Sequence, residues 1–287
     1  MSQAAAPPQN LTVIIAARNE EDLITACLTA LLEQDGAAGR VGVIVAANAC
    51  TDRTVPMTRA LTHAFAARGW QLTVLDLATG GKLGALNAAD ALTNNVAGDA
   101  PRVYLDADVI CAPALLGQLR QALATPVPRY ATGTLVVARA RSPATRAYAR
   151  FWTGLPFIKG GAVGAGLFAV NAAGRARWGA FPDIISDDTF VRLNFAPAER
   201  IEVPATYRWP MVEGLRNLIR VRRRQDTGVA EVNRLYPDLA ANDTKARLIP
   251  RKLAGLALRA PVSFAVYMGV HVLVRLGRRS TAWTRGR

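Results

Sequence analysis

Apolar runs and helical patterns alternate along the first half of the chain. Four short runs rich in Val, Ile and Leu predict strands at residues 11–16, 41–47, 71–77 and 102–106. Because these runs are almost continuously apolar, we expect burial on both faces of a parallel sheet. Strands that alternate with helices predict right-handed βαβ crossovers and an α/β fold, with a single, mostly parallel open sheet flanked by helices.

Residues 20–34 predict the first of these helices. Their apolar positions, from Leu23 to Leu32, recur at helical spacing. Asn19 stands where an N-cap residue is expected, and the three acids that follow it favour the helix dipole. We therefore expect the helix to begin directly after Asn19.

The second half of the chain is less regular. It predicts strands at 132–138 and 167–170, the latter after a glycine-rich stretch at 160–166, and a basic helix at 211–226. Residues 248–277 are mostly apolar, and their 15-residue apolar core, 260–274, lies between Arg259 and Arg275. A membrane-spanning helix needs about 20 residues. The segment therefore predicts either an amphipathic helix lying on or dipping into a bilayer, or a helix packed on the main domain.

The loops that follow the predicted strands are the places to look for a site. In an open α/β sheet, ligands bind beyond the carboxyl ends of the strands. The loops in question are residues 17–20, 48–52, 80–82 and 106–108. We expect these four loops to converge.

Composition and charge limit the class of protein. At 287 residues and 51% hydrophobic, the chain is long enough for one large domain with a buried core. The net charge of +14 is uneven, since residues 192–287 contain 19 basic and 7 acidic residues. Such a surface suits nucleic acid, a diphosphate or an anionic membrane, and charge alone does not choose among them.

The ends and the cysteines predict a compartment. Residues 1–10, which we expect to be flexible, contain neither a basic start nor an apolar run, so no secretory signal is visible and a cytoplasmic location is expected. The three cysteines lack metal-ligand spacing. We interpret them as small, free side chains of a reducing compartment.

Two carboxylates end the fourth predicted strand. Asp106 and Asp108 are separated by one residue at the edge of the sheet where ligands bind. Oxygen donors in this arrangement can hold Mg²⁺ or Mn²⁺ and leave coordination positions for phosphate oxygens. A solvated strand end followed by a turn-forming Asp gives the same residues, so the triplet alone leaves both interpretations open.

A second acidic pair, Asp187 and Asp188, lies far along the chain. Adjacent carboxylates repel each other, and partial burial raises the proton affinity of one of them, which suits a general base. We assign that role to Asp188. A helix start capped by Ser186, with Asp187 favouring the dipole, is the alternative, and the two interpretations are compatible.

Basic residues supply candidate phosphate contacts. Lys82 follows two glycines in a turn before a helix, where a cation and backbone N–H groups suit a phosphate, although a solvated loop lysine is the alternative. Because Leu83 follows Lys82, and no GxGxxG follows the first strand, neither a nucleotide P-loop nor a dinucleotide-binding dehydrogenase fits. Among the arginines at 220 and 222–224, we assign Arg224 to a diphosphate, and a solvated basic face accounts for the others.

Taken in this order, these segments resemble the family 2 glycosyltransferases, which have the GT-A fold. The resemblance covers residues 11–228 and rests on five motifs: Asn19-Glu20, Cys50-Thr51-Asp52, Gly81-Lys82-Leu83-Gly84-Ala85-Leu86-Asn87, Asp106-Ala107-Asp108 and Asp187-Asp188. It implies a Rossmann-like, nucleotide-sugar-binding half at 11–110 and an acceptor half at 111–228. Residues 229–287 are then a C-terminal helical extension, basic and apolar.

The resemblance also implies roles for individual residues. Those expected to contact the nucleotide-diphosphate sugar are Ala17, Asn19, Glu20, Asn48, Lys82, Asp106 and Arg224. Asp108 would bind Mn²⁺ or Mg²⁺, and Asp187 would lie beside the base on the acceptor side. Asp188 would deprotonate the acceptor hydroxyl, which then attacks the anomeric carbon opposite the leaving nucleotide and inverts its configuration.

Two departures from the family pattern qualify this expectation. Where many members place a base-contacting aspartate, this chain has Ala47 or Asn48, so the donor base is open. No clear Gln-x-x-Arg-Trp motif of processive members is present, and residues 222–225 are a partial substitute at best. This favours a non-processive enzyme that adds one sugar, with a glycan or lipid-linked hydroxyl as the expected acceptor. Peripheral membrane contact stays one of the two alternatives for the C-terminal segment, and no nucleic-acid partner is expected.

Two other classes of protein remain as alternatives. A sugar-phosphate nucleotidyltransferase would share the sheet and the acidic site, but it normally carries a glycine-rich loop where this chain has residues 16–19. A non-enzymatic basic module that docks on membranes or nucleic acid leaves the four loops unexplained.

Overall fold

The structure is a computed structural model that describes residues 11–96, 100–243 and 250–276. The N-terminal residues 1–10, for which we expected flexibility, and the end of the C-terminal extension at 277–287 lie outside the described residues. Strands β1 to β8 are Leu11–Ala17, Val41–Asn48, Gln71–Leu77, Arg102–Asp106, Ile110–Cys111, Tyr130–Val137, Leu167–Val170 and Arg200–Trp209. Helices α1 to α11 are Ile24–Leu32, Thr54–Ala60, Thr62–Ala67, Lys82–Val96, Leu115–Leu123, Pro143–Trp152, Ala172–Arg175, Asp187–Leu193, Leu215–Leu235, Pro250–Arg259 and Pro261–Leu276.

Within the described ranges, eight strands form one sheet in the order β3-β2-β1-β4-β7-β6-β8-β5. The first four strands pair parallel, as their connecting helices predict. In the second half, β7 is antiparallel to both β4 and β6, and β5 is antiparallel to β8, whereas β6 and β8 are parallel. The α/β class is confirmed, and the parallel part of the sheet is mainly its first half.

The sheet is buried on both faces, which explains the continuous hydrophobicity of its strands. Along β1, Val13 and Ile15 pack with Leu28 of α1, whereas Ile14 packs on the opposite face with Leu86 of α4. A third apolar cluster joins α6, α9 and α11. Alternating side chains of a strand thus enter different cores, so both sets have to be apolar.

The first helix begins later than predicted. Its N-cap residue is Leu23, which makes no side-chain capping bond, and no acid lies in its first turn. Asn19 is not a helix cap, because its backbone is left-handed, with φ of 53°, and its side-chain oxygen accepts from the Thr51 amide instead. The residues that looked like a helix start in fact form a loop held by the next loop of the sheet.

Helix α9 is longer than the basic helix predicted at 211–226. It starts after Gly214, whose φ of 84° suits a residue without a Cβ, and it ends at Leu235, shortly before Pro237. The boundary expected at 228 therefore falls inside a helix. The predicted end of the acceptor half at 228 and the predicted start of the extension at 229 stay predictions.

The apolar C-terminal segment forms two helices rather than one. The break falls at Ala260 and Pro261, because proline restricts the residue before it and lacks an N–H to continue the helix. One side of α11, including Tyr267 and Val270, packs with Phe151 of α6, so packing on the domain is confirmed for that side. None of the helices in the described ranges is long and apolar enough to cross a bilayer.

Candidate active site

A cleft of about 2040 Å³ lies at the carboxyl ends of the parallel strands. All four loops predicted to converge contribute to its lining, through residues that include Asn19, Asn48, Lys82 and Asp106. The second half of the chain closes it with Asp187, Asp188 and side chains of α9. The parallel sheet thus gathers sequence-distant polar residues in one place.

Hydrogen bonds connect the loop after β1 to the loop after β2. The Asn19 side-chain oxygen accepts from the Thr51 amide at 2.7 Å, and the Glu20 amide donates to Thr54 Oγ1 at 2.7 Å. The Thr54 hydroxyl in turn donates to Asp52 Oδ1 at 2.6 Å. Two motifs separated by about 30 residues therefore form one rigid wall of the cleft, and Asn19 and Glu20 are held on it.

Asn48, at the end of β2, connects three of the loops through its side chain. Its side-chain amide donates to the Ala17 carbonyl oxygen at 3.0 Å, and its side-chain oxygen accepts from the Gly81 amide at 3.1 Å. Asn48 is 3% exposed, and the Ala17 side chain is fully buried in the core. Both polar side-chain atoms of Asn48 are therefore bonded to protein backbone. These two hydrogen bonds fix the position of the glycine loop that precedes Lys82.

A lysine lies between the two acidic motifs. The Lys82 ammonium is 3.1 Å from Asp106 Oδ1 and 3.0 Å from Asp187 Oδ2, although Lys82 and Asp187 are 105 residues apart. Burial disfavours the charge on Lys82, but the Asp106 and Asp187 carboxylates outweigh it and raise the pKa of Lys82 above its ordinary value. One cation thus ties the end of β4 to the start of α8.

Asp188 has the electrostatic surroundings of a proton acceptor. Burial first, and the Asp187 charge second, raise the pKa of Asp188 to about 6. Its Oδ1 accepts from the Thr189 amide at 2.7 Å, which fixes the carboxylate at the first turn of α8. Ser186 is the N-cap residue by position but makes no side-chain capping bond. The predicted Ser186 cap is therefore wrong, whereas the predicted helix start at the acidic pair agrees with α8.

The acidic residues fit a divalent cation only together with a further ligand. Within the described residues, no group of three or more His, Cys, Asp or Glu side chains is arranged to hold a metal ion. Asp106 and Asp108 both line the cleft and offer the hard oxygen donors that Mg²⁺ and Mn²⁺ prefer. Two carboxylates leave room for phosphate oxygens, so the donor set suits an ion that arrives with a diphosphate.

Comparison with known families identifies the chain. The sequence profile described as Glycosyl transferase family 2 matches residues 12–174, more than half of the chain. The chain belongs to glycosyl transferase family 2. A search of curated proteins found no match.

Solved structures of glycosyltransferases share the fold of this family 2 member. The mannosyltransferase PcManGT from Pyrobaculum calidifontis, solved with GDP-Man and Mn²⁺, is 22% identical, with 97% of this chain and 80% of that chain covered and a TM-score of 0.57. S. aureus TarS 1-349 is 16% identical, with coverage of 92% and 72% and a TM-score of 0.54. Glucosyl-3-phosphoglycerate synthase from Mycobacterium tuberculosis, solved with Mn²⁺, UDP-Glc and glycerol 3-phosphate, is 17% identical, with coverage of 78% and 79% and a TM-score of 0.52. At these identities the likeness concerns the fold, and it confirms the GT-A assignment.

The arginines of α9 divide between two sides of this family 2 protein. Arg222 and Arg224 line the cleft. Arg223 points to the other side and donates to the Leu273 carbonyl oxygen of α11 at 2.6 Å, and Arg220 is exposed. The predicted position of Arg224 is thus compatible with contact to a ligand in the cleft, whereas Arg223 holds the C-terminal helix.

An aromatic wall that was not predicted from the sequence lines the cleft on the side formed by the second half of the chain. Trp152 of α6 and Trp209 at the end of β8 line the cleft with ring centroids 5.9 Å apart. A Cβ at Gly166 would lie 2.7 Å from Trp209, and the Gly166 carbonyl oxygen accepts from the Asp106 amide at 2.8 Å. The glycine-rich stretch at 160–166 was the available signal, since Gly166 lets a tryptophan approach the strand that carries Asp106.

Helix α9 also supports the segment that precedes the acidic pair. Glu231 Oε2 accepts from the Ile185 amide at 2.8 Å. Gly228 packs directly against Ile185 and Ser186, where a Cβ would collide with the Ser186 hydroxyl. This contact was not predicted, because nothing in the local pattern around Gly228 indicates a partner more than 40 residues earlier.

Proposed function

We propose that this protein is a metal-dependent, inverting glycosyltransferase that moves one sugar from a nucleoside diphosphate donor to an acceptor hydroxyl. The observation that carries the proposal is the meeting of Asp106, Asp108, Asp187 and Asp188 in one cleft, with Lys82 between the two acidic motifs. Membership of family 2 supports transfer of a glycosyl group. Addition of a single sugar is favoured because no Gln-x-x-Arg-Trp motif is present in the sequence.

The donor would bind against the wall built from the loops after β1 and β2. Asn19 and Glu20 would contact the nucleoside, while Ala17 and Asn48 would act from beneath by fixing the loop backbone, since both Asn48 polar atoms already bond to protein. Lys82 at the start of α4 would contact the diphosphate, as a cation beside a helix start suits phosphate oxygens. Arg224 would approach the same group from α9.

The chemical step follows from the placement of Asp188. Its carboxylate takes the proton of the acceptor hydroxyl, and the acceptor oxygen forms a bond to the anomeric carbon. The bond from that carbon to the diphosphate oxygen breaks, and the electron pair leaves with the nucleoside diphosphate. Attack from the face opposite the leaving group inverts the anomeric configuration. The products are a glycoside, a nucleoside diphosphate and protonated Asp188. The negative charge of Asp187 favours this proton transfer, because it raises the pKa of Asp188.

A divalent cation fits this scheme. Asp108 and Asp106 are the residues that would hold Mn²⁺ or Mg²⁺, as argued from their oxygen donors and shared cleft. A bound ion would neutralise the negative charge that develops on the leaving diphosphate. Lys82 and Arg224 add fixed positive charge on the same side, so negative charge can develop there at a lower free-energy cost.

A panel of nucleoside diphosphate sugars, incubated with the protein and Mn²⁺, tests the proposal. We expect release of nucleoside diphosphate from at least one donor, and a rise in melting temperature with that nucleotide and Mn²⁺ together, because a ligand that binds only the folded state stabilises it. Asp188→Asn should retain donor binding and lose transfer, since the change removes the base without emptying the pocket. Asp238→Asn, at an exposed acid outside the cleft, is the matched control.

The same samples separate the alternatives. Full turnover by Asp188→Asn would remove Asp188 from its role. Formation of a nucleotide sugar from a nucleoside triphosphate and a sugar phosphate would identify a nucleotidyltransferase instead. Lack of any nucleotide-dependent stabilisation, with a response to anionic lipid or salt alone, would favour a basic docking module.

A further inference from the structure

The outward face of the two C-terminal helices is apolar and exposed. Leu258 is 84% exposed, Val262 70%, Val272 50% and Leu276 79%. Six of the ten exposed large apolar side chains of the described residues lie between Leu258 and Leu276. The opposite side of α11 is buried against α6 and α9. Helix α11 is thus apolar on two sides, one inside the protein and one facing outward. Exposed apolar side chains that cluster in this way mark an interaction surface.

The charge of the C-terminal segment selects the kind of partner. Residues 244–287 contain ten Lys and Arg residues and no Asp or Glu. Arg259 and Arg275 are exposed at the ends of α10 and α11. Apolar side chains flanked by cations match an anionic bilayer, where the apolar groups enter the acyl boundary and the guanidinium groups contact lipid phosphates. A second copy of the chain would bring two positive surfaces together, so self-association through this face is disfavoured.

Helix α11 reaches the cleft through Tyr267, which lines it. Away from the cleft, Arg223 of α9 donates to the carbonyl oxygens of Leu273 and Val274 and so fixes α11 on the domain. Since an α-helix with its side chains is roughly 10 Å across, the outward face lies about that far from the aromatic, acceptor-side end of the cleft. We propose that the outward face of α10 and α11 docks the protein on an anionic lipid bilayer, with the end of the cleft that Tyr267 lines next to the lipid headgroups. Calling this end the acceptor end rests on the proposed function.

Vesicle flotation of the full chain tests the docking. We expect the protein to float with vesicles that contain phosphatidylglycerol, to float less with pure phosphatidylcholine, and to be released by salt. The double variant Val262→Ser/Leu276→Ser should lower the partition coefficient at least about tenfold, because it removes apolar surface that would enter the bilayer. The control Val127→Ser/Leu235→Ser, at two exposed apolar residues elsewhere, should float like the wild type.

The outcomes are distinct from those for the catalytic proposal. Flotation by Val262→Ser/Leu276→Ser equal to that of the wild type would overturn the docking surface, as would a wild-type chain that does not bind anionic vesicles. A dimer in sedimentation equilibrium that is lost in this variant would also overturn it, in favour of a second copy. Donor hydrolysis by the same samples reports on the catalytic site alone, so either proposal can fail while the other stands.

Discussion

The raised pKa of Asp188 gives the most specific prediction for the transfer reaction. Only the deprotonated carboxylate can accept the proton of the acceptor, so kcat/KM should rise with pH through about 6, the pKa of Asp188. For a single ionisation at this value, about one tenth of the plateau rate remains at pH 5 and about nine tenths is reached at pH 7.

The causes of the raised pKa predict opposite effects for two neighbouring residues. Asp187 raises the pKa of Asp188 through its negative charge, whereas Lys82 lowers it. Asp187→Asn should therefore move the acidic limb of the pH profile to lower pH, and Lys82→Met should move it to higher pH, each by about one unit. The plateau is expected to fall in both variants, because each change also removes the ion pair between Lys82 and Asp187.

Initial rates measured below KM for the donor, across the acidic and neutral range, provide the assay. The exposed Asp238→Asn variant should keep the limb of the wild type, which controls for general changes in charge. A flat profile around pH 6 would refute the assignment of Asp188 as the base. Shifts of the same sign in Asp187→Asn and Lys82→Met would refute the electrostatic explanation, even if the base itself were correct.

Three further predictions concern the metal, the core and the support of the site. Asp108→Ala should abolish Mn²⁺-dependent donor binding in calorimetry, and an unchanged titration would contradict its role as a ligand. Asp90→Asn should lower the free energy of unfolding in urea by about 3 kcal/mol, because it removes the carboxylate that pairs at 2.7 Å with the buried Arg102. A loss below about 1 kcal/mol would show that the ion pair is compensated. Gly228→Ala should lower kcat more than it raises the donor KM, since a Cβ there displaces Ser186 next to the acidic pair, and unchanged kinetics would mean that α9 yields instead.

The first half of the fold could be predicted from sequence because its signals are local and agree with one another. The strand expected at 11–16 is observed as Leu11–Ala17, and the one expected at 41–47 as Val41–Asn48. All residues of β2, and all but one of β1, are buried. The continuous hydrophobicity of these strands therefore results from a sheet that is covered on both faces. The convergence of the loops then follows from the parallel pairing alone.

The errors arose where a residue's partner is distant in sequence. Asn19 has the sequence context of a helix cap, but the Thr51 amide, 32 residues later, takes its side-chain oxygen. The same reason applies to Ser186, which is packed beneath Gly228 of α9. A capping pattern describes what a side chain can do within its own turn, and a tertiary contact from another loop overrides it.

The C-terminal segment shows how two alternatives drawn from sequence can be compatible in one helix. An apolar stretch of 15 residues suits either a buried helix or one on a membrane, because both need apolar surface. In α11 the positions of Tyr267, Val270 and Val274 enter the core, while those of Val262, Val272 and Leu276 face outward. Packing on the domain would need only one of these faces to be apolar, so the second apolar face is the observation that packing leaves unexplained. Because this second apolar face lies on a segment that contains basic but no acidic residues, an anionic lipid surface is the favoured partner.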